Sequence, residues 1–170
     1  VRARERGVDQ FPDIGMARMH GQLVAVFHRA ADGVDVGKIQ ARRHALDILF
    51  QADVRDVDPR EVLADLEQRR VESAQQPFNE YVAVLVNGVS DKRDEIDERI
   101  SMASIGWDLD RMPGVDRNAL RIGVWELLWG SGVPGEVAIS EAVGTVEELS
   151  TDESPAFVNG VLSSVMASRT

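Results

Sequence analysis

Apolar residues recur at helical spacing over most of the chain from residue 38 onward. In the first such segment Ile39, Ala41, Ala45, Ile48 and Leu49 lie on one face of a helix. Six further segments repeat the pattern, each opened by a capping residue or a proline. These residues are, in order, Asp58, Pro77, Ser90, Asp116, Pro134 and Pro155. The predicted helices cover residues 38–54, 59–72, 77–88, 91–106, 117–129, 134–149 and 155–167. Since no segment alternates convincingly like a strand, the predicted fold class is all-α, with about seven helices.

Residues 1–37 differ from the rest of the chain. Glycines and a proline, among them Gly7, Pro12, Gly15 and Gly33, break this segment into short pieces. The most helical stretch within it, residues 16–31, has poor periodicity and contains Gly21. We therefore expect a weakly structured or disordered amino-terminal extension over 1–37. The helical domain is expected to occupy 38–170.

Composition limits the class of protein further. The 170 residues are 44% hydrophobic, which suffices for one core. Cysteine is absent, so disulfides and Cys-based zinc sites are excluded. No apolar run approaches the ~20 residues of a membrane span, and no signal peptide pattern opens the chain. A soluble cytoplasmic protein is the expectation.

Charge is distributed unevenly along the chain. The formal net charge is −10, with +2 carried by residues 38–55 and −12 by the residues that follow. The basic island consists of Lys38, Arg42 and Arg43, and it is either a solvated helix turn or a nucleic-acid site. Phe50 lies two helical turns after Arg43 on the same stripe. A cation and a ring placed in this way can bind a phosphate and stack on a base, but Phe50 could equally belong to the core.

Motifs for catalysis are missing from the sequence. The three histidines, His20, His28 and His44, do not have metal-ligand spacing on a core helix. No nucleophile elbow, P-loop or dinucleotide fingerprint occurs. Gly130-Ser131-Gly132 is interpreted as a turn, and the acidic run at 94–98 as a solvated helix face. We therefore expect no enzyme activity, no metal and no cofactor.

Four blocks of sequence together carry a family resemblance. Their order and spacing agree along roughly residues 38–170, which is more specific than any one of them. The blocks are Arg42 to Phe50 (RRHALDILF), Val115 to Leu127 (VDRNALRI followed by EL), Val133 to Val143 (VP followed by VAISEAV) and Ser150 to Leu162 (STDESPAFVNGVL). The chain in this respect closely resembles the bacterial NusB transcription antitermination factors.

The resemblance implies a fold and a function. The fold would be two three-helix subdomains with an added helix. The function would be RNA binding without catalysis: such proteins pair with NusE, a ribosomal small-subunit protein, and recognise single-stranded boxA RNA in ribosomal RNA leader transcripts. The pair helps to load the antitermination complex on RNA polymerase. Homodimers that cover the RNA surface also occur in the family.

Site residues follow from the same resemblance, position by position. The implied RNA-binding residues are Lys38, Gln40, Arg42, Arg43, Phe50, Asp152, Glu153, Ser154 and Phe157. The implied NusE-facing residues are Asp116, Arg117 and Glu126. Because the opening helix has fewer cations than the most basic family members, RNA binding without NusE is expected to be weak.

Local chemistry offers other roles for some of these residues. Asp116 suits the N-cap of the fifth helix, and Ser154 with Pro155 suits the start of the seventh. Phe157 could be a core residue, and Gly160 is expected to allow close helix packing.

Two other functions remain in competition. A NusB-like domain also precedes RNA cytosine methyltransferases, but no Rossmann-type region or catalytic cysteine occurs in this sequence. The third hypothesis is a helical module that binds only protein.

Overall fold

The part of the chain that the structure describes consists of helices joined by loops. The computed structural model describes residues 35–169, so the expectation of a weakly structured extension lies almost wholly outside the described residues. Within them lie seven α-helices, one short 3-10 helix and no strand, which confirms the all-α prediction. They are α1 (Val36–Arg55), α2 (Pro59–Glu72), α3 (Glu80–Asp91), α4 (Arg93–Ala103), the 3-10 helix (Leu109–Arg111), α5 (Gly114–Leu128), α6 (Gly135–Leu149) and α7 (Ser154–Ala167).

Side-chain caps explain where α2 and α3 begin. Asp58 Oδ1 accepts a hydrogen bond from the Arg60 amide at 2.8 Å, as the sequence predicts. Asn79 caps α3 by accepting from the Tyr81 amide at 2.9 Å, so this helix starts at Glu80 rather than at the predicted Pro77. The predicted cap at Ser90 is wrong, because Ser90 lies inside α3 and donates to the Val86 carbonyl at 2.7 Å.

The starts of α5 and α7 also differ from the sequence expectation. Pro113 occupies the N-cap of α5, which places Asp116 in the first turn instead of at the predicted cap. Ser154 is the first residue of α7, and its hydroxyl donates to Asp116 Oδ2 at 2.7 Å. The two side chains therefore form a hydrogen bond that joins the first turns of α5 and α7, and neither side chain caps its own helix.

The helices pack around one continuous apolar core. Helices α5, α6 and α7 contact one another, α4 packs on α5 and α7, and α3 contacts α2, α4 and α5. Close helix contact depends on Gly88 and Gly123, since a Cβ at Gly88 would overlap the Trp125 indole and one at Gly123 would lie 2.8 Å from Leu162 Cδ1. Gly160, the predicted packing glycine, faces open space instead.

Candidate nucleic-acid interface

The basic residues at the start of α1 are divided between the surface and the interior. Lys38 Nζ lies 5.2 Å from the centre of the Tyr81 ring, and Gln40 is exposed. Arg43 pairs through Nη2 with Glu148 at the end of α6, and about a third of each side chain is exposed (36% and 32%). Because a surface ion pair contributes at most about 1 kcal/mol, Arg43 can exchange Glu148 for a phosphate at small cost.

Arg42 lies inside the protein. Only 5% of the residue is exposed, and its Nε donates to both carboxylate oxygens of Glu126, at 2.9 and 3.1 Å. The Tyr81 hydroxyl donates to the same carboxylate at 2.6 Å. Burial, this hydrogen bond and the charge of Glu126 raise the pKa of Tyr81, so the phenol keeps its proton and remains a donor. The structure therefore does not bring Arg42 to the predicted RNA surface, nor Glu126 to the predicted partner surface.

His44 does not add a cation to the basic island. Its ring packs against Phe78 with centroids 5.0 Å apart. Burial and the nearby Arg70 charge lower the pKa of His44, against an opposing contribution from Asp47. The imidazole is therefore neutral near pH 7, since even the ordinary histidine pKa of about 6.5 lies below that pH.

Arg117 belongs to a network of ion pairs around Asp53. Nη2 of Arg117 and Nη1 of Arg121 each donate to Asp53 Oδ2 at 3.0 Å, and Asn118 Nδ2 donates to the same oxygen at 3.0 Å. Burial acts to raise the pKa of Asp53, but the hydrogen bond from Asn118 and the charges of Arg121 and Arg117 lower it overall. The network joins α1 to α5, and through Arg93 to α4. Arg117, predicted to face the partner, is thus held by internal contacts.

Phe50 lies at the edge between core and surface. The residue is 38% exposed. One side of its ring lies against Gly114 at the start of α5, where a Cβ would come within 2.8 Å of Phe50 Cε2. Val54, one turn further along α1, is also exposed. Part of the Phe50 side chain therefore reaches solvent.

A second aromatic surface lies beside the start of α7. Phe157 is half-buried and packs against Trp107, with ring centroids 5.6 Å apart and planes tilted by 45°. These rings border a pocket of about 210 Å³, whose other lining residues are Pro113, Asp116, Thr151, Glu153 and Ser154. We name this cavity the Trp107 pocket.

The predicted RNA-binding loop forms one wall of the Trp107 pocket. Asp152 and Glu153 are exposed, whereas Ser154 is buried. Asp116, predicted to face the partner, is also buried, with only 3% of the residue exposed. Trp107 lies between the predicted helices 91–106 and 117–129, and no sequence pattern assigns it a role. A tryptophan directly after Gly106, in a segment with little apolar patterning, was the signal that could have singled it out.

Other classes of site find no support in the part of the chain that the structure describes. Among residues 35–169, no group of three histidine, aspartate or glutamate side chains is placed to hold a metal ion. None of the helices in that range is long and apolar enough to cross a membrane.

The fold defines a class: a small protein whose described residues form an all-α fold. The profile of the NusB family matches residues 39–167. The chain belongs to the NusB family.

Curated relatives agree with this assignment. The chain is 52% identical over 130 residues to the transcription antitermination protein NusB of Nocardioides sp., covering 76% of this chain and 93% of that one. It is 51% identical over 127 residues to the NusB of Thermobifida fusca, covering 75% and 87%.

Solved structures share the fold. NusB of T. maritima superposes with a TM-score of 0.67 at 30% identity, covering 76% of this chain and 89% of that one. A crystal structure of antitermination factors NusB and NusE in complex with dsRNA gives a TM-score of 0.67 at 28% identity, covering 79% and 99%.

Proposed function

We propose that this chain is a transcription antitermination factor that binds boxA-type RNA of ribosomal RNA leaders together with the ribosomal protein NusE. In this role it helps to load the antitermination complex on RNA polymerase in the cytoplasm and catalyses no reaction. The observation that carries the proposal is the stripe of α1 on which Arg43 and Phe50, both partly exposed, stand two turns apart. A phosphate contact and a stacking platform at this spacing suit single-stranded RNA.

The proposed RNA surface runs from the start of α1 to the start of α7. Its direct contacts are the side chains that reach solvent, namely Lys38, Gln40, Arg43, Phe50, Asp152, Glu153 and Phe157. Arg42 and Ser154 are buried and would support this surface without contacting the RNA. Arg42 fixes α1 against α5 through Glu126, and Ser154 fixes the loop before α7 through Asp116.

The partner supplies the charge that this chain lacks. The two solvent-reaching cations at the start of α1, Lys38 and Arg43, neutralise too few phosphates for tight binding. Ribosomal RNA-binding proteins are rich in cations, and the −12 net charge of residues 56–170 would attract such a partner and speed its association. Glu126 is buried, so its part in partner binding would be to keep Arg42 and α5 in place. Arg117 would do the same through Asp53.

RNA binding at several salt concentrations tests the proposal. Fluorescence anisotropy would compare a boxA-type RNA with a scrambled RNA of equal composition, with and without NusE. We expect preference for boxA that NusE strengthens. Equal affinity for the two RNAs in the presence of NusE would contradict the proposed function.

A matched pair of variants tests the RNA surface itself. Arg43→Gln should lower the slope of log affinity against log salt by about 0.7, the value for one phosphate contact in a single strand. Arg60→Gln removes the same charge from α2, where Arg60 pairs with Asp91 on the surface. This control should leave the slope unchanged. An unchanged slope for Arg43→Gln would remove α1 from the RNA surface.

A further inference from the structure

A second cavity lies between α1 and the end of α2, and it shares no lining residue with the Trp107 pocket. Its volume is about 520 Å³, which is within the range of ligand sites. The polar lining residues include His44, Asp47 and Gln51 from α1, and Arg69, Arg70 and Ser73 from α2 and the loop that follows. We name this cavity the Arg70 cleft. All six of these residues reach solvent, so the cleft is open to a ligand.

Charged groups of opposite sign line the Arg70 cleft without pairing to each other. Among the described residues that line it, Asp47 is the one carboxylate, and Arg69 and Arg70 are the cations. The side chains of Asp47 and Arg69 make no hydrogen bond or ion pair with any residue in 35–169. A ligand that carries an anionic group beside N–H donors would therefore gain one partner on α2 and another on α1.

The Arg70 side chain is held in place before any ligand binds. Its guanidinium carbon lies 3.8 Å from the centre of the Phe78 ring, and Nη1 donates to the Gln76 carbonyl at 2.8 Å. The Gln75 amide donates to the Arg70 carbonyl at 2.9 Å, which closes the loop after α2. Nε and Nη2 make no hydrogen bond within the described residues. A carboxylate can accept two parallel hydrogen bonds from this edge, and little side-chain freedom is lost because the group is already ordered.

Charge and apolar surface together select the class of ligand. The two arginines of the cleft exceed Asp47 by one positive charge, since His44 is neutral near pH 7. A carboxylate matches that single charge, whereas a phosphate monoester carries about −1.5 to −2. The inner part of the lining is apolar and includes Ile48, Leu66 and Phe78. Apolar lining favours an apolar group next to the carboxylate over the ribose of a nucleic-acid backbone.

We propose that the Arg70 cleft binds the carboxyl terminus of a partner polypeptide that ends in an apolar residue. The terminal carboxylate accepts hydrogen bonds from Nε and Nη2 of Arg70, and Arg69 adds a second positive charge. The last side chain packs on Ile48 and Leu66, and a backbone amide of the partner donates to Asp47. The end of a polypeptide presents a carboxylate, an apolar side chain and amide groups at adjacent positions. Because the cleft is open to solvent, the rest of the chain can leave it.

The test titrates the full chain with acetyl-alanyl-leucine and follows the Arg70 Nε–H and Gln51 amide signals by NMR. The carboxamide of this dipeptide, which lacks the carboxylate, should bind at least about tenfold more weakly, as for the loss of a charge-assisted contact. Arg70→Gln should weaken the dipeptide by a similar factor. Arg60→Gln removes the same charge from α2 outside the cleft and should change nothing. Binding should also raise the pKa of His44, because the bound carboxylate offsets the Arg70 charge that lowers it.

A second comparison tests the contact with Asp47. Isocaproate keeps the apolar group and the carboxylate of leucine but has no amide, so it should bind more weakly than the dipeptide. Asp47→Asn should weaken the dipeptide and leave isocaproate unchanged. Asp65→Asn, the matched control, removes an exposed carboxylate that pairs with Arg55 and should affect neither ligand. Thermal unfolding would establish that each variant folds. If Arg70→Gln does not fold, the dipeptide and its carboxamide still decide on the unmodified chain.

Three outcomes would refute the proposal. Equal binding of the dipeptide and its carboxamide would show that no carboxylate is recognised. Equal binding of the dipeptide and isocaproate, or tighter binding of free leucine, would make the ligand a small acid or an amino acid and not a chain terminus. Displacement of the dipeptide by a boxA-type RNA, with the same dependence on Arg70, would assign the cleft to a phosphate of the RNA.

Discussion

Arg42 and Arg43 are neighbours in the basic island, but substituting them should change different properties of the protein. In Arg42→Gln, the Glu126 carboxylate stays buried and loses its charged partner, keeping only the hydrogen bond from Tyr81. In Arg43→Gln, an exposed pair with Glu148 is lost and both groups remain solvated. The first variant should therefore lose stability, and the second should lose RNA affinity.

The expected magnitudes differ several-fold. Removing one partner of a buried ion pair lowers the free energy of unfolding by about 3–5 kcal/mol. Loss of a surface pair lowers it by about 0–1 kcal/mol. With a Tm change of about 4 °C for each kcal/mol in a domain of this size, Arg42→Gln should melt roughly 10–20 °C lower. Arg43→Gln should melt within about 4 °C of the unsubstituted protein.

Urea unfolding followed by far-UV circular dichroism measures these differences directly. The double variant Arg42→Met with Glu126→Met is the control for burial, because it replaces both charges with apolar groups. It should recover most of the lost stability, as apolar replacements of buried ion pairs commonly do. If Arg42→Gln loses less than about 1 kcal/mol and instead lowers the salt dependence of RNA binding, Arg42 faces the RNA and our reasoning is wrong.

Two further predictions concern stability. Gly88→Ala should lower the free energy of unfolding by about 1–3 kcal/mol, because the new methyl group overlaps the Trp125 indole. Gly160→Ala, in open space on α7, should raise it by about 0.5–1 kcal/mol; equal effects in urea unfolding would contradict this packing. The lowered pKa of Asp53 stabilises the fold fully above the unfolded value of about 3.9, and this contribution is lost as pH falls through the folded value. Asp53→Asn should therefore flatten the loss of stability with acid, and an unchanged pH profile would count against the network.

The order and type of the helices could be predicted from the sequence. Apolar residues at a period near 3.6, interrupted by prolines, glycines and capping residues, specify helices without knowledge of their neighbours. All the predicted bounds of the seven helices agree with the structure to within three residues. One difference of three residues is at the start of α3, where Asn79 rather than Pro77 precedes the helix, because only the three-dimensional arrangement decides which side chain bonds to a free amide.

Tertiary structure decided which candidate residues reach solvent. A helical period assigns a residue to a stripe, but what covers that stripe depends on a helix far away in the chain. Arg42 lies seven residues before the core residue Leu49, and Glu126, which neutralises it, comes 84 positions later. Asp116 likewise meets Ser154 across 38 positions. The sequence by itself determined the helices and carried the family's motifs. Burial and pairing of the polar side chains were decided only when the helices packed, because desolvation and hydrogen bonding depend on contacts between distant segments.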